Sequence, residues 1–106
     1  MILNIRIEEQ SFQIDVPDVL LQEAGDFFNT LDLDMDKGWQ MSRSWVDQPD
    51  LEQRCQIVAD KILSAFEHEN KKLLMMLCAY VLTRMPGIQT LDISTNGEMQ
   101  ETLFEF

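Results

Sequence analysis

Basic residues are scarce in this chain. Eight lysines and arginines stand against nineteen aspartates and glutamates, for a net charge of −11. Nucleic-acid binding draws on clustered Lys and Arg that neutralise phosphates. No such cluster is present, so nucleic acid is disfavoured as a partner, and so is an anionic membrane surface. Histidine is scarcer still. With His68 alone, a metal site, a His-Cys dyad or a Ser-His-Asp triad has one ring to draw on. The four glycines are scattered, so there is no glycine-rich phosphate loop, and no serine sits in a Gly-x-Ser-x-Gly elbow. No catalytic residue is assigned, and no cofactor is expected.

Long apolar runs are also missing. The most apolar one, Leu73 to Leu82, is half of the roughly 20 residues that span a bilayer as a helix, and reads as a buried helix instead. The first residues, Met1 to Glu9, carry no basic leader and no small-residue cleavage site, from which a cytoplasmic location is expected. Two cysteines, Cys55 and Cys78, are too few for a disulfide framework and lack CxxC spacing. On a helical hairpin turning near Glu69 they would be offset by five residues, about 7.5 Å along the axis, beyond what a disulfide spans. Both are expected to be buried free thiols.

What is present is an ordinary globular composition, 45% apolar and 25% charged. A chain of 106 residues suits one domain with one core, residues 1–106. The charge is concentrated at the ends. Residues 1–36 hold nine acids and one base (−8), residues 37–84 six acids and seven bases (+1), and residues 85–106 four acids and no base (−4). If the ends meet in the fold, they form one acidic face suited to a basic protein partner.

Alternation marks Leu3, Ile5 and Ile7, then Phe12, Ile14 and Val16 after a polar link, as an N-terminal β-hairpin stopped by Pro17. Val19, Leu20, Ala24, Phe27, Phe28 and Leu31 recur at helical spacing and predict a helix from Asp18 to about Leu31, weakened at Gly25. Trp39, Ser42, Arg43 and Val46 suggest a short helix closed by Gln48-Pro49. Asp50 is a suitable cap for a long helix whose stripe is Leu51, Cys55, Val58, Ile62, Leu63, Ala65 and Phe66. After a break at His68-Glu69-Asn70, a core helix from Lys71 to Met85 ends at Pro86-Gly87. Ile88 to Ser94, the Asn96-Gly97 turn and Met99 to Phe106 predict a C-terminal β-hairpin or strand. The fold class is therefore α+β: an N-terminal hairpin, three to four helices with a central antiparallel pair, and a C-terminal hairpin, with helices against one side of a sheet.

One stretch suggests chemistry. Asp32, Asp34 and Asp36, followed by Gly38, space their carboxylates as a hard cation such as Ca²⁺ or Mg²⁺ requires. The run resembles the start of an EF-hand calcium loop, with the aspartates at its first, third and fifth positions. It departs from that loop where Lys37 takes the sixth position, a glycine there, and Arg43 the twelfth, a glutamate there. Asp-x-Asp also opens the phosphoryl-transfer site of haloacid dehalogenase-like enzymes, where it follows a buried strand; here it follows a helical stripe. Read without a metal, the aspartates form a solvated loop that caps the next helix.

Trp39, Met41, Arg43 and Trp45 crowd one short segment, and Trp, Met and Arg are typical of interface cores. The expected function is that of a small acidic, non-enzymatic accessory or interaction protein which presents this segment and an acidic face to a protein partner. A divalent-cation binder built on Asp32, Asp34 and Asp36 is the alternative. The terminal hairpins leave edge strands able to pair across a homodimer.

Overall fold

A computed structural model describes residues 1–106. The hairpin expected at the N-terminus is present as β1 (Ile2–Ile7) and β2 (Gln10–Asp15), in continuous antiparallel register from Ile2↔Asp15 to Ile7↔Gln10. The C-terminal segment supplies β5 (Thr90–Ile93) and β6 (Leu103–Glu105), also antiparallel, joined through a single 3-10 turn at Met99–Glu101. The two hairpins share one sheet. β5 runs parallel to β1, with Asn4 beside Thr90 and Ile7 beside Ile93, which gives the order β2-β1-β5-β6. Leu3, Ile5, Leu91 and Ile93 point into the core, while Asn4, Arg6, Thr90 and Asp92 point outward. The helices cover the inward face only, so the fold is α+β as expected.

The helical layer departs from expectation at its start. The stretch from Asp18 is two helices, α1 (Asp18–Glu23) and α2 (Gly25–Asp36), broken at Ala24 just where Gly25 lowers helix propensity. α2 then runs through the aspartates rather than stopping at Leu31. Phe28, Leu31 and Met35 continue one buried stripe at three- and four-residue spacing, and burial of Met35 outweighs the poor helix propensity of aspartate. The chain leaves α2 through Lys37 and Gly38, whose φ of +93° gives the left-handed stop that glycine supplies.

Residues 39–46 are the second correction. They form a small hairpin, β3 (Trp39–Met41) and β4 (Ser44–Val46), paired Trp39↔Val46 and Met41↔Ser44 around Ser42 and Arg43. The spacing of Trp39, Ser42 and Val46 looked helical, but the controlling pattern has period two. Trp39, Met41 and Val46 turn inward while Gln40 and Trp45 turn outward, and Ser42 accepts φ +59° at the turn.

The central helical pair is as expected. α3 (Leu51–Glu67) opens with a full capping box, in which the Gln53 N–H donates to Asp50 Oδ1 and the Asp50 N–H donates to Gln53 Oε1. α4 (Lys71–Arg84) starts at Asn70, whose side chain accepts from the Leu73 N–H. Between them Glu69 takes φ +55°, reversing the chain so that α4 packs antiparallel on α3. One core of 24 buried apolar residues runs from the sheet through α2, α3 and α4. Cys55 and Cys78 both lie in it as free thiols.

Candidate functional site

Because Asp32, Asp34 and Asp36 lie on a helix, their side chains diverge. Residues four apart share a face; a residue two apart lies about 200° around the axis. Asp34 points to solvent, while Asp32 and Asp36 face α3 and α4. No group of three or more His, Cys, Asp or Glu side chains converges as a metal-holding set. The loop geometry behind the cation expectation is therefore replaced by a helix that separates the three carboxylates.

Asp32 has other company. The Tyr80 hydroxyl donates to Asp32 Oδ1 at 2.6 Å, Arg84 Nη2 donates to Oδ2 at 2.8 Å, and Arg54 Nη1 donates to Oδ1 at 3.3 Å. Arg54 also donates through Nη2 to Asp36 Oδ1 at 2.5 Å and through Nε to the Pro49 carbonyl at 2.9 Å. Arg84 lies over the rings of Tyr80 and Phe28, 5.0 and 5.6 Å from their centroids. Two carboxylates and two guanidiniums balance, and every buried polar side chain is satisfied. Burial by itself would raise the Asp32 carboxyl, but the hydrogen bonds from Tyr80, Arg84 and Arg54 and the Arg84 charge outweigh it and hold the group below its ordinary value. Burial first, then the hydrogen bond to Asp32 and the Asp32 charge, push the Tyr80 phenol well above its usual range against the opposing charge of Arg84. Such a cluster clamps the end of α2 to α3 and α4.

The four residues picked out beside the aspartates are split by the small hairpin. Met41 is fully buried and belongs to the core, which removes it from any contact surface. Trp39 is half-buried, with the Lys61 ammonium 4.8 Å above its ring. The Arg43 side chain is 90% exposed, with Nε 3.4 Å from Glu98. Trp45 is 58% exposed, and its indole N–H donates to Asp47 Oδ1 at 2.6 Å. Ser42, read from the sequence only as part of a short helix, accepts the Met99 N–H through its Oγ at 3.0 Å and ties the hairpin to the 3-10 turn.

His68 caps the end of α3. Its Nδ1 lies 2.8 Å from the Ser64 carbonyl and donates to it, so the ring is oriented by its own helix. It borders an open groove of about 360 Å³ floored by Phe27, Leu31, Leu73 and Leu77, with Lys61 alongside and no carboxylate.

The acidic ends do come together. Asp15, Asp92 and Glu105 share the outward face of the sheet, where Arg6 donates to Asp92 at 3.3 Å and to Glu105 at 2.7 Å. All four arginines are thus held by carboxylates, Arg43 by Glu98, and Arg54 and Arg84 by Asp32 and Asp36. No helix is long and apolar enough to cross a membrane.

The two thiols are inert by environment. Burial pushes Cys55 and Cys78 up to about 12, so at pH 8 almost no thiolate exists at either. Treated with an aromatic disulfide reagent, the native protein is expected to react only as fast as it unfolds, whereas two thiols react at once in denaturant. A rapid native reaction of either would contradict the burial. No protein-family model, curated protein or solved structure matches this chain.

Proposed function

We infer that this chain is a non-enzymatic interaction module that engages a basic protein partner through the hairpin at residues 39–46. The observation that carries this reading is Trp45, a large aromatic held rigidly yet more than half exposed. Gly38 lies against its ring, Asp47 holds its N–H, and Met41 anchors the hairpin in the core. A fixed aromatic loses little conformational entropy on binding, which is why Trp so often carries interface energy. Asp47, Asp50 and Glu52 follow it in sequence, flanked by Arg43 and Arg54, and Leu51 is half exposed among them. An aromatic anchor bonded to Asp47, with further acids close behind it in the chain, favours a partner whose contact patch carries Lys or Arg.

Trp45→Ala tests the reading with little cost to the fold, since the ring lies outside the core. A partner captured by the wild type from its own cell extract, then purified, is expected to bind the variant roughly 30-fold more weakly, the loss of a hot-spot residue. Its association with the wild type should also slow as salt rises. Equal affinity of wild type and variant for every captured protein would remove the hairpin from the interface.

A further inference from the structure

The sheet has two edges, and they are treated differently. β6 is three residues long, whereas β2 offers six with no Lys, no Pro and no bulge, the usual devices that discourage further pairing. Ladder parity fixes which groups it offers. Met1 and Val16 exchange hydrogen bonds, the Met1 ammonium donating to the Val16 carbonyl at 2.9 Å and the Val16 N–H to the Met1 carbonyl at 2.7 Å. Alternation then makes Leu3–Ile14, Ile5–Phe12 and Ile7–Gln10 the bonded pairs. Ser11, Gln13 and Asp15 therefore turn three N–H and three C=O groups away from β1, at exposed positions.

We propose that β2 is a self-recognition edge: a second copy of this chain adds its β2 antiparallel to the first, about a two-fold axis at Gln13, joining two four-stranded sheets into one of eight. This rests on β2 alone and is independent of the Trp45 reading. The strand is complementary to itself in that register, whereas centring on Ile14 would set Ser11 against Pro17, which has no N–H to offer. Gln13 meets Gln13 and Ser11 meets Asp15, so all six outward groups of each strand are satisfied and the only charged side chain lies opposite a hydroxyl. On the other face Phe12 meets Ile14 as a close, non-bonded pair, an aromatic facing a β-branched residue. Centring on Phe12 would instead set Glu9 against Asp15, and centring on Ser11 would set Glu9 against Gln13 and Glu8 against Ile14.

The surface beneath the edge fits the same occupant. Phe12 packs on Phe66 with centroids 4.7 Å apart, and Phe66 lines two grooves beside β2, one mainly apolar and one that also carries Glu8 and Glu67. The larger, about 490 Å³, is floored by Ile14, Leu74 and Met75. A sheet continued through a two-fold axis keeps its helices on one side, so the second copy's α3 and α4 approach these grooves and cover them. An isologous contact sets a patch against its own copy, and Glu69 and Lys71 give that same groove both signs of charge in a chain otherwise dominated by acids.

Sedimentation and light scattering across a concentration series test the proposal. A dimer is expected, tightening as salt rises, because each copy carries −11 and screening relieves their long-range repulsion. Gln13→Pro removes an outward N–H without touching the β1 ladder, and should give a monomer that melts like the wild type. Ser11→Asp sets two carboxylates opposite each other at both symmetry-related pairs and should weaken the dimer, while Ser11→Lys faces Asp15 and should tighten it, each by roughly two- to thirtyfold. Amide exchange at Ser11, Gln13 and Asp15 should slow with protein concentration, in Trp45→Ala as in the wild type. A wild type that stays monomeric to millimolar concentration overturns the proposal, as does a dimer indifferent to Gln13→Pro. Protection of these amides only on adding a different protein would assign the edge to a foreign strand, and overturns it equally.

Discussion

Asp32→Asn is expected to cost about 2–3 kcal/mol of stability at neutral pH, a large share of what a chain of this size has to lose. The carboxylate accepts from Tyr80, Arg84 and Arg54, so an amide in its place loses the charge both guanidiniums face and directs an NH₂ at donors. Breaking one side of a fully buried ion pair costs about 3–5 kcal/mol; with 26% of the Asp32 side chain still exposed, part of that is screened. Arg54 retains Asp36 and Pro49, which limits the loss further, whereas Arg84 keeps only its aromatic neighbours. The exposed Asp34, changed to Asn in parallel, should move stability by less than about 0.5 kcal/mol.

The pH dependence follows from the direction in which Asp32 is held. Its folded-state pKa lies below the unfolded value, so its contribution is fully present above an unfolded carboxyl pKa of about 4 and is lost as pH falls through the folded value. Denaturant melts of wild type and Asp32→Asn should therefore differ most above about pH 5 and converge toward acid. Taking the difference removes the relief of self-repulsion that a chain of net charge −11 also experiences on acidification. Parallel pH profiles for the two proteins would show that the clamp contributes nothing.

Gly38→Ala should cost about 2–4 kcal/mol, an outcome out of scale with one added methyl. Two causes act together. At φ +93° an L-residue is strained, and the new Cβ would lie 2.5 Å from Trp45 Cζ2 and 3.1 Å from the Val46 carbonyl. The indole must move off the turn, which predicts a change in tryptophan emission. The two causes are separable: with Trp45→Ala already present, Gly38→Ala should cost only the backbone part, leaving the effects non-additive by about 1 kcal/mol or more. Additive costs would mean that the ring does not rest on the glycine.

How far the sequence could be read follows from where each signal lies along the chain. The β1–β2 hairpin and the α3–α4 pair were legible because their determinants are local, namely alternation, the Asp50 cap and the break at His68–Asn70. The extent of α2 was not, because a run of aspartates reads as a loop until Met35 is seen to continue the stripe of Phe28 and Leu31. The 39–46 segment misled because Trp39, Ser42, Arg43 and Val46 fitted a helical period while Trp39, Met41 and Val46 carried the operative alternation. The Asp32 cluster lay furthest from reach. Its partners are 22, 48 and 52 residues away, and no periodicity carries information over such separations.

The parallel pairing of β1 with β5 sets the order in which the molecule can be completed. Arg6 and Asp92, neighbours across that pairing, are 86 residues apart, and closing a loop of that length costs on the order of 4 kcal/mol in chain entropy. A ribosome adding roughly 5–20 residues per second takes several seconds to supply β5 after β1 has been made. Until then the β1–β2 hairpin has two open edges, and a lone hairpin is marginal in water. β1 is thus secured on its second edge only after β5, some 86 residues further along the chain, has been synthesised.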